Sequence, residues 1–104
     1  MTTLLHVATS PRGTRSDSLH IADAFLTAYC AAHPYTTVDT LNLWSETLPV
    51  FDGDKAAAKM AVMGGVTPTG AEGTAWQAVT NVADRFTAAD RYLFSVPMWN
   101  GGVP

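Results

Sequence analysis

The sequence predicts an α/β protein built on an open parallel sheet wound by helices, and three observations predict it. The elements alternate as strand, helix, strand, one or two helices, strand, an order that calls for parallel pairing with right-handed crossovers. The first run, Leu4-Leu5-His6-Val7-Ala8, is mostly apolar, as suits a strand buried on both faces. Two atypical loops, residues 9–18 and 97–104, leave predicted strands at their carboxyl ends, where doubly wound sheets bind ligands.

The first strand breaks at Thr9-Ser10-Pro11-Arg12-Gly13-Thr14-Arg15-Ser16-Asp17-Ser18, a segment dense in turn and cap residues. A helix is predicted from about Ser18 to Ala32, its start capped by Ser16, Asp17 or Ser18. Leu19, Ala22, Leu26 and Tyr29 or Cys30 form one stripe, with Ile21, Phe25 and Ala28 beside it. A face that wide packs on a sheet and on something else besides. His33-Pro34 ends the helix, because proline disfavours helical geometry at the preceding residue. Thr36 to Leu43 alternates with period two and is rich in β-branched residues, so it reads as the second strand.

Asp54 is a candidate cap for a short helix, Lys55 to Met63, which Gly64-Gly65 stops. After a loop at Thr67 to Gly70, a helix from about Thr74 to Ala88 presents Trp76, Val79, Val82, Ala83 and Phe86 at helical spacing. The third strand is Arg91 to Val96. In a flavodoxin-like order the sheet reverses direction between the first and third strands, so both atypical loops meet at one crevice.

Composition narrows the function. Of 104 residues 47% are apolar and only 14% charged, under the usual quarter or so, which leaves helix faces to be covered by another subunit or by further sequence. A net charge of −3 with no basic stripe argues against nucleic acid as a partner. One cysteine, Cys30, rules out an internal disulfide and a multi-thiolate metal site. No His/Asp/Glu grouping has metal-ligand spacing, and none of the apolar runs reaches membrane-span length. Met1-Thr2-Thr3 shows no export signal, so a soluble, cytoplasmic protein is expected. His6 lies inside a strand, His33 at a helix end and His20 in the first helical turn, and Ser10 has neither an evident base nor a nucleophile-elbow context.

The first loop has the parts of a phosphate cradle. It opens onto a helix N-terminus, where unpaired N–H groups and the macrodipole favour an anion. Ser10, Ser16 and Ser18 supply hydroxyls, Gly13 lets backbone come close, and Arg12 or Arg15 can offset phosphate charge. The competing reading makes the serines simple caps and leaves the arginines in solvent. The closing loop, Pro97-Met98-Trp99-Asn100-Gly101-Gly102-Val103-Pro104, suits a flat aromatic ring: backbone amides for ring heteroatoms, Met98 and Trp99 for the plane or edge. Its plainer alternative is a turn with two core residues. A phosphate cradle beside an apolar ring slot points to flavin mononucleotide, FMN.

The same segments resemble a family. Ser10-Pro11-Arg12 followed by Ser16-Asp17-Ser18 is similar to the S-P-R…S-x-S loop of FMN-dependent NADH:quinone oxidoreductases of the azoreductase type. Val96-Pro97-Met98-Trp99-Asn100, then Gly102-Val103-Pro104, resembles their P-M-[YW]-N-x-x-[IV]-P loop. Leu48-Pro49-Val50-Phe51-Asp52-Gly53 and Ala89-Asp90 fit as well, so the resemblance spans the whole chain. It implies a flavodoxin-like fold, with Ser10, Ser16, Asp17 and Ser18 on the FMN phosphate and ribityl end and Met98, Trp99, Asn100 and Gly101 lining the isoalloxazine. Position 101 departs from the pattern: Gly stands where many relatives carry a bulkier residue. The resemblance also implies homodimers and a ping-pong reaction from NADH to FMN to a quinone or azo acceptor, with no side chain as acid or base.

Family domains are about twice this length, so residues 1–104 are expected to be the N-terminal portion of a single flavodoxin-like domain, truncated after the third strand. The third strand would then be an uncovered edge. Two other readings stay open: a flavodoxin-type electron carrier, which is usually more acidic with a Thr-rich phosphate loop, and an inactive fragment.

Overall fold

A strand hydrogen-bonded on both sides buries both its faces, and the Leu4–Ala8 run has the composition for it. In the computed structural model, which describes residues 1–98, β1 (Thr2–Ala8) is the central strand of a three-stranded parallel sheet ordered β2-β1-β3. β2 is Thr36–Asn42 and β3 is Arg91–Ser95. The register pairs Leu4 with Val38 and Arg91, and Ala8 with Asn42 and Ser95. All five residues from Leu4 to Ala8 are buried. Strand order therefore reverses between β1 and β3, as the flavodoxin-like reading requires.

β3 is the opposite case, an edge strand among the described residues, with Tyr92 and Phe94 48% and 57% exposed. Its start is clamped to β1: the amide of Asp90 donates to Thr3 O at 2.8 Å, and the amide of Thr3 donates to Asp90 Oδ2 at 2.9 Å. The first helix, α1 (Asp17–Ala32), begins one residue before the expected Ser18. Ala22 is buried and Leu19, Leu26, Tyr29 and Cys30 are half-buried, so the predicted stripe does face the sheet. Its neighbours Ile21 and Phe25 are 71% and 46% exposed. The wide apolar face thus has one side covered and one side open.

Contacts divide the chain into two units, Met1–Thr47 with the chain from Ala88 onward, and Leu48–Thr87. The second unit carries α2 (Gly53–Met63) and most of α3 (Gly70–Ala88). Two expectations need correction here. Asp52, not Asp54, caps α2: its Oδ1 accepts from the amide of Lys55 at 3.1 Å, while Asp54 falls inside the first turn. The third helix starts at Gly70 rather than Thr74. Gly73, before the expected start, sits within the helix, where Pro68 O would lie only 3.0 Å from a side-chain carbon and so favours glycine. No helix among the described residues is long and apolar enough to cross a membrane.

The Asp52 cap carries a pH signature. The Lys55 amide bond, aided by the Lys55 charge 3.5 Å away, holds the carboxyl below its ordinary value of 3.8. A depressed carboxylate contributes stability that is present above the unfolded value and lost as pH falls through the folded one. Asp52→Ala should lower the amide protection factors in the first turn of α2 at neutral pH. Acidifying the unaltered protein below the carboxylate range should lower the same protection factors once the slower intrinsic exchange is divided out.

Candidate functional site

The first loop owes its shape to its own small polar residues. Ser10 is 2% exposed, and its Oγ accepts from the amide of Arg12 at 3.3 Å, folding the chain back after β1. Gly13 adopts φ +58°, a left-handed conformation costly for residues with a Cβ. That permits a short 3-10 turn at Gly13–Arg15, closed by the amide of Ser16 donating to Gly13 O at 3.0 Å.

Ser16 then serves as the α1 cap. It is 1% exposed; its Oγ accepts from the amide of Leu19 at 3.2 Å and lies 3.0 Å from Ser18 Oγ in a second hydrogen bond. The cap reading of Ser16 is therefore correct, and it does not exclude an anion. One side-chain cap satisfies one of four orphan N–H groups in a first turn, leaving others directed outward. Asp17 occupies the first helical position, so what it offers an anion is its backbone N–H rather than its exposed carboxylate.

A cavity of about 380 Å³ gathers these groups. Ser10, Arg12, Ser16, Asp17 and Ser18 line it on one side; Ile21, Val96, Pro97 and Met98 form its apolar lip. Five of the eight sequence-predicted site residues, Ser10, Ser16, Asp17, Ser18 and Met98, thus share one concavity. Met98 is 92% exposed there, an apolar side chain held open at the rim. Trp99, Asn100 and Gly101 lie outside the described residues. Arg12 belongs to the lining; Arg15 does not.

Size alone does not locate this site. Concavities of about 650 and 740 Å³ occur in the second unit, the first lined by Leu48, Pro49, Phe51, Val79, Val82 and Phe86 among others. Neither combines a helix start, a cation and several hydroxyls. No group of three or more His, Cys, Asp or Glu side chains able to hold a metal occurs among the described residues.

Sequence reasoning overlooked how the two loops are rooted together. The amide and hydroxyl of Thr9 both donate to Ser95 O, at 3.1 and 2.9 Å. Trp44 Nε1 donates to Thr9 O at 2.7 Å, pinning the first loop from the β2 side. A tryptophan just past the end of β2 stands at the same sheet edge as both loops, and that position was the signal available. His6 Nε2 and Ser95 Oγ lie 2.8 Å apart in a buried hydrogen bond whose donor depends on the imidazole tautomer.

A hydroxyl-rich helix start and an apolar lip share one cavity where strand order reverses, the place at which doubly wound sheets bind ligands. The comparison with known proteins carries this to a family. The family model described as "Flavodoxin-like fold" matches residues 2–104, and the chain belongs to that family. It is 48% identical over its whole length to an FMN-dependent NADH:quinone oxidoreductase of Ruegeria pomeroyi, covering 51% of that protein. It is 45% identical, over 97% of its length, to FMN-dependent NADH:quinone oxidoreductase 2 of Pseudomonas syringae pv. tomato, covering 48% of it. Among solved structures, the azoreductase from Bacillus anthracis str. Sterne superposes on the whole chain with a TM-score of 0.84 and 31% identity, again over 50% of that protein. The chain spans about half the length of the curated relatives it matches.

Proposed function

We propose that this chain is part of an FMN-dependent NADH:quinone oxidoreductase with azoreductase activity, and that the cavity between the β1 and β3 exits holds the FMN. The observation that carries the reading is the shared lining: three hydroxyls, Arg12 and a helix start on one side, Val96, Pro97 and Met98 on the other. The donor set suits a phosphate, which accepts hydrogen bonds from N–H and O–H groups and is balanced by a guanidinium. The apolar lip suits a ring edge.

In this reading Ser10, Ser16 and Ser18 with the Asp17 amide bind the phosphate and ribityl end, and Met98, Trp99, Asn100 and Gly101 take the isoalloxazine. FMN, when bound, would supply the redox chemistry between NADH and a quinone or azo acceptor. The protein's part is to bind, orient and shield; no side chain is assigned as acid or base. Exposed Ile21 and Phe25 on α1 support a homodimer, and the single free cysteine, Cys30, fits a reducing, cytoplasmic setting.

The reaction calls for the C-terminal half that the relatives also carry, so the full-length protein, purified with FMN, should be yellow and should bleach under anaerobic NADH, with colour returning on addition of a quinone. A protein that binds FMN but never bleaches would be an electron carrier instead. One that binds no FMN would overturn the reading.

A further inference from the structure

The sheet core contains one histidine among the described residues, and its side chain bonds to the strand that leads into the ring side of the site. His6 is 3% exposed in an otherwise apolar run of β1, and Ser95 is 5% exposed at the end of β3. A buried imidazole left without a partner is costly, so the 2.8 Å bond to Ser95 Oγ is a strong constraint on where Ser95 sits. Ser95 is also where the two Thr9 hydrogen bonds converge. Three hydrogen bonds therefore fix the residue that immediately precedes Val96-Pro97-Met98.

We propose that His6 is a positioning residue for the cofactor: through Ser95 it holds the β3 exit, and with it Met98, at the apolar lip of the cavity. This rests on the FMN reading above and adds to it a residue that touches no part of the flavin. The alternative is a histidine that merely satisfies itself in the core.

Ionisation separates the two. Burial holds His6 below the ordinary imidazole value of 6.5, with the Asp23 carboxylate opposing. His20 and Asp23, both on α1, are the titratable groups lining the cavity beside it; β2 contributes Thr40 and Asn42 there, and β3 contributes Ser95. Protonation makes both ring nitrogens donors, so Nε2 then donates to Ser95 Oγ whichever tautomer preceded it, and the bond becomes charge-assisted. A positioning bond transmits that change to the loop.

The test pairs nuclear magnetic resonance with flavin titrations. As pH falls from about 8 to about 5, the Val96 and Met98 amide signals should shift with the same midpoint as the His6 ring nitrogens. His6→Leu and Ser95→Ala should each weaken FMN and riboflavin by the same factor, about tenfold, the worth of one net hydrogen bond. Equal losses mark a ring-side effect, since only FMN carries a phosphate. His6→Gln, which can still donate to Ser95, should recover most of the affinity. A Met98 amide indifferent to His6 ionisation overturns the proposal, as do unchanged affinities in Ser95→Ala, the variant least prone to misfold. If the unaltered protein binds neither flavin, the functional reading fails, and the amide titration still decides whether His6 governs the loop.

Discussion

Arg12→Glu is expected to weaken FMN binding by about ten- to hundredfold while changing riboflavin binding by less than about threefold. That range corresponds to one charge-assisted hydrogen bond, about 1.5–3 kcal/mol, converted at about 1.4 kcal/mol per decade. Reversal adds repulsion between the new carboxylate and the phosphate, which pushes the effect toward the upper end. Arg12 is exposed at the cavity lining and caps only a three-residue turn, so the fold should tolerate the change. Arg15 lies outside that lining, and Arg15→Glu should cost FMN much less. Paired fluorescence-quenching titrations with the two flavins measure all of this. Equal losses for FMN and riboflavin would mean that Arg12 acts on the loop rather than on a phosphate.

Leu5→Ala should lower the free energy of unfolding by about 2–5 kcal/mol, the range for emptying a buried leucine site. Leu5 is 0% exposed at the middle of the central strand, opposite Asp39 on β2 and Tyr92 on β3. Small domains hold only about 5–15 kcal/mol in total, so this single change can approach the threshold of folding. Ile21→Ala is the matched control. Ile21 is as apolar as Leu5, but at 71% exposure its truncation should move stability by no more than about 0.5 kcal/mol in the monomer. Denaturant melts of the two variants give the contrast. If Ile21→Ala costs as much as Leu5→Ala, the open side of α1 is covered in solution.

The elements and the first loop were readable because their signals are local. An apolar run, a cluster of Ser, Gly and Arg, and a period of two or of 3.6 lie within a dozen residues of one another. Ser10, Ser16, Asp17, Ser18 and Met98 could be assigned to one crevice because the strand alternation fixes which loops share a sheet edge, and the cavity gathers them. The His6–Ser95 bond was not readable in the same way. Each is a lone polar residue in an apolar strand, and the partners are separated by 89 positions. Only the β1–β3 register, which sets Ala8 against Ser95, brings the serine within reach of the histidine two residues back.

The remaining errors are finer. Asp52 and Asp54 flank one glycine and have equal intrinsic capping tendency, so the choice fell to which one reaches the Lys55 amide. At α3 Gly70 read as loop, but a close carbonyl at Gly73 is itself a reason for glycine inside a helix. Trp44 was passed over because an indole beyond a strand end has no periodic partner; its hydrogen bond to Thr9 O is a tertiary contact.

The central claim is that the exits of β1 and β3 form one flavin mononucleotide site, and amide shift mapping tests it most directly. Adding FMN to the ¹⁵N-labelled protein should move the signals of Ser10, Arg12 and Ser16 through Ser18 together with Val96 and Met98. Riboflavin should move Val96 and Met98 and leave the first loop nearly still. Shifts confined to the larger concavities of Leu48–Thr87, or none at all in the two exits at saturating FMN, would contradict it.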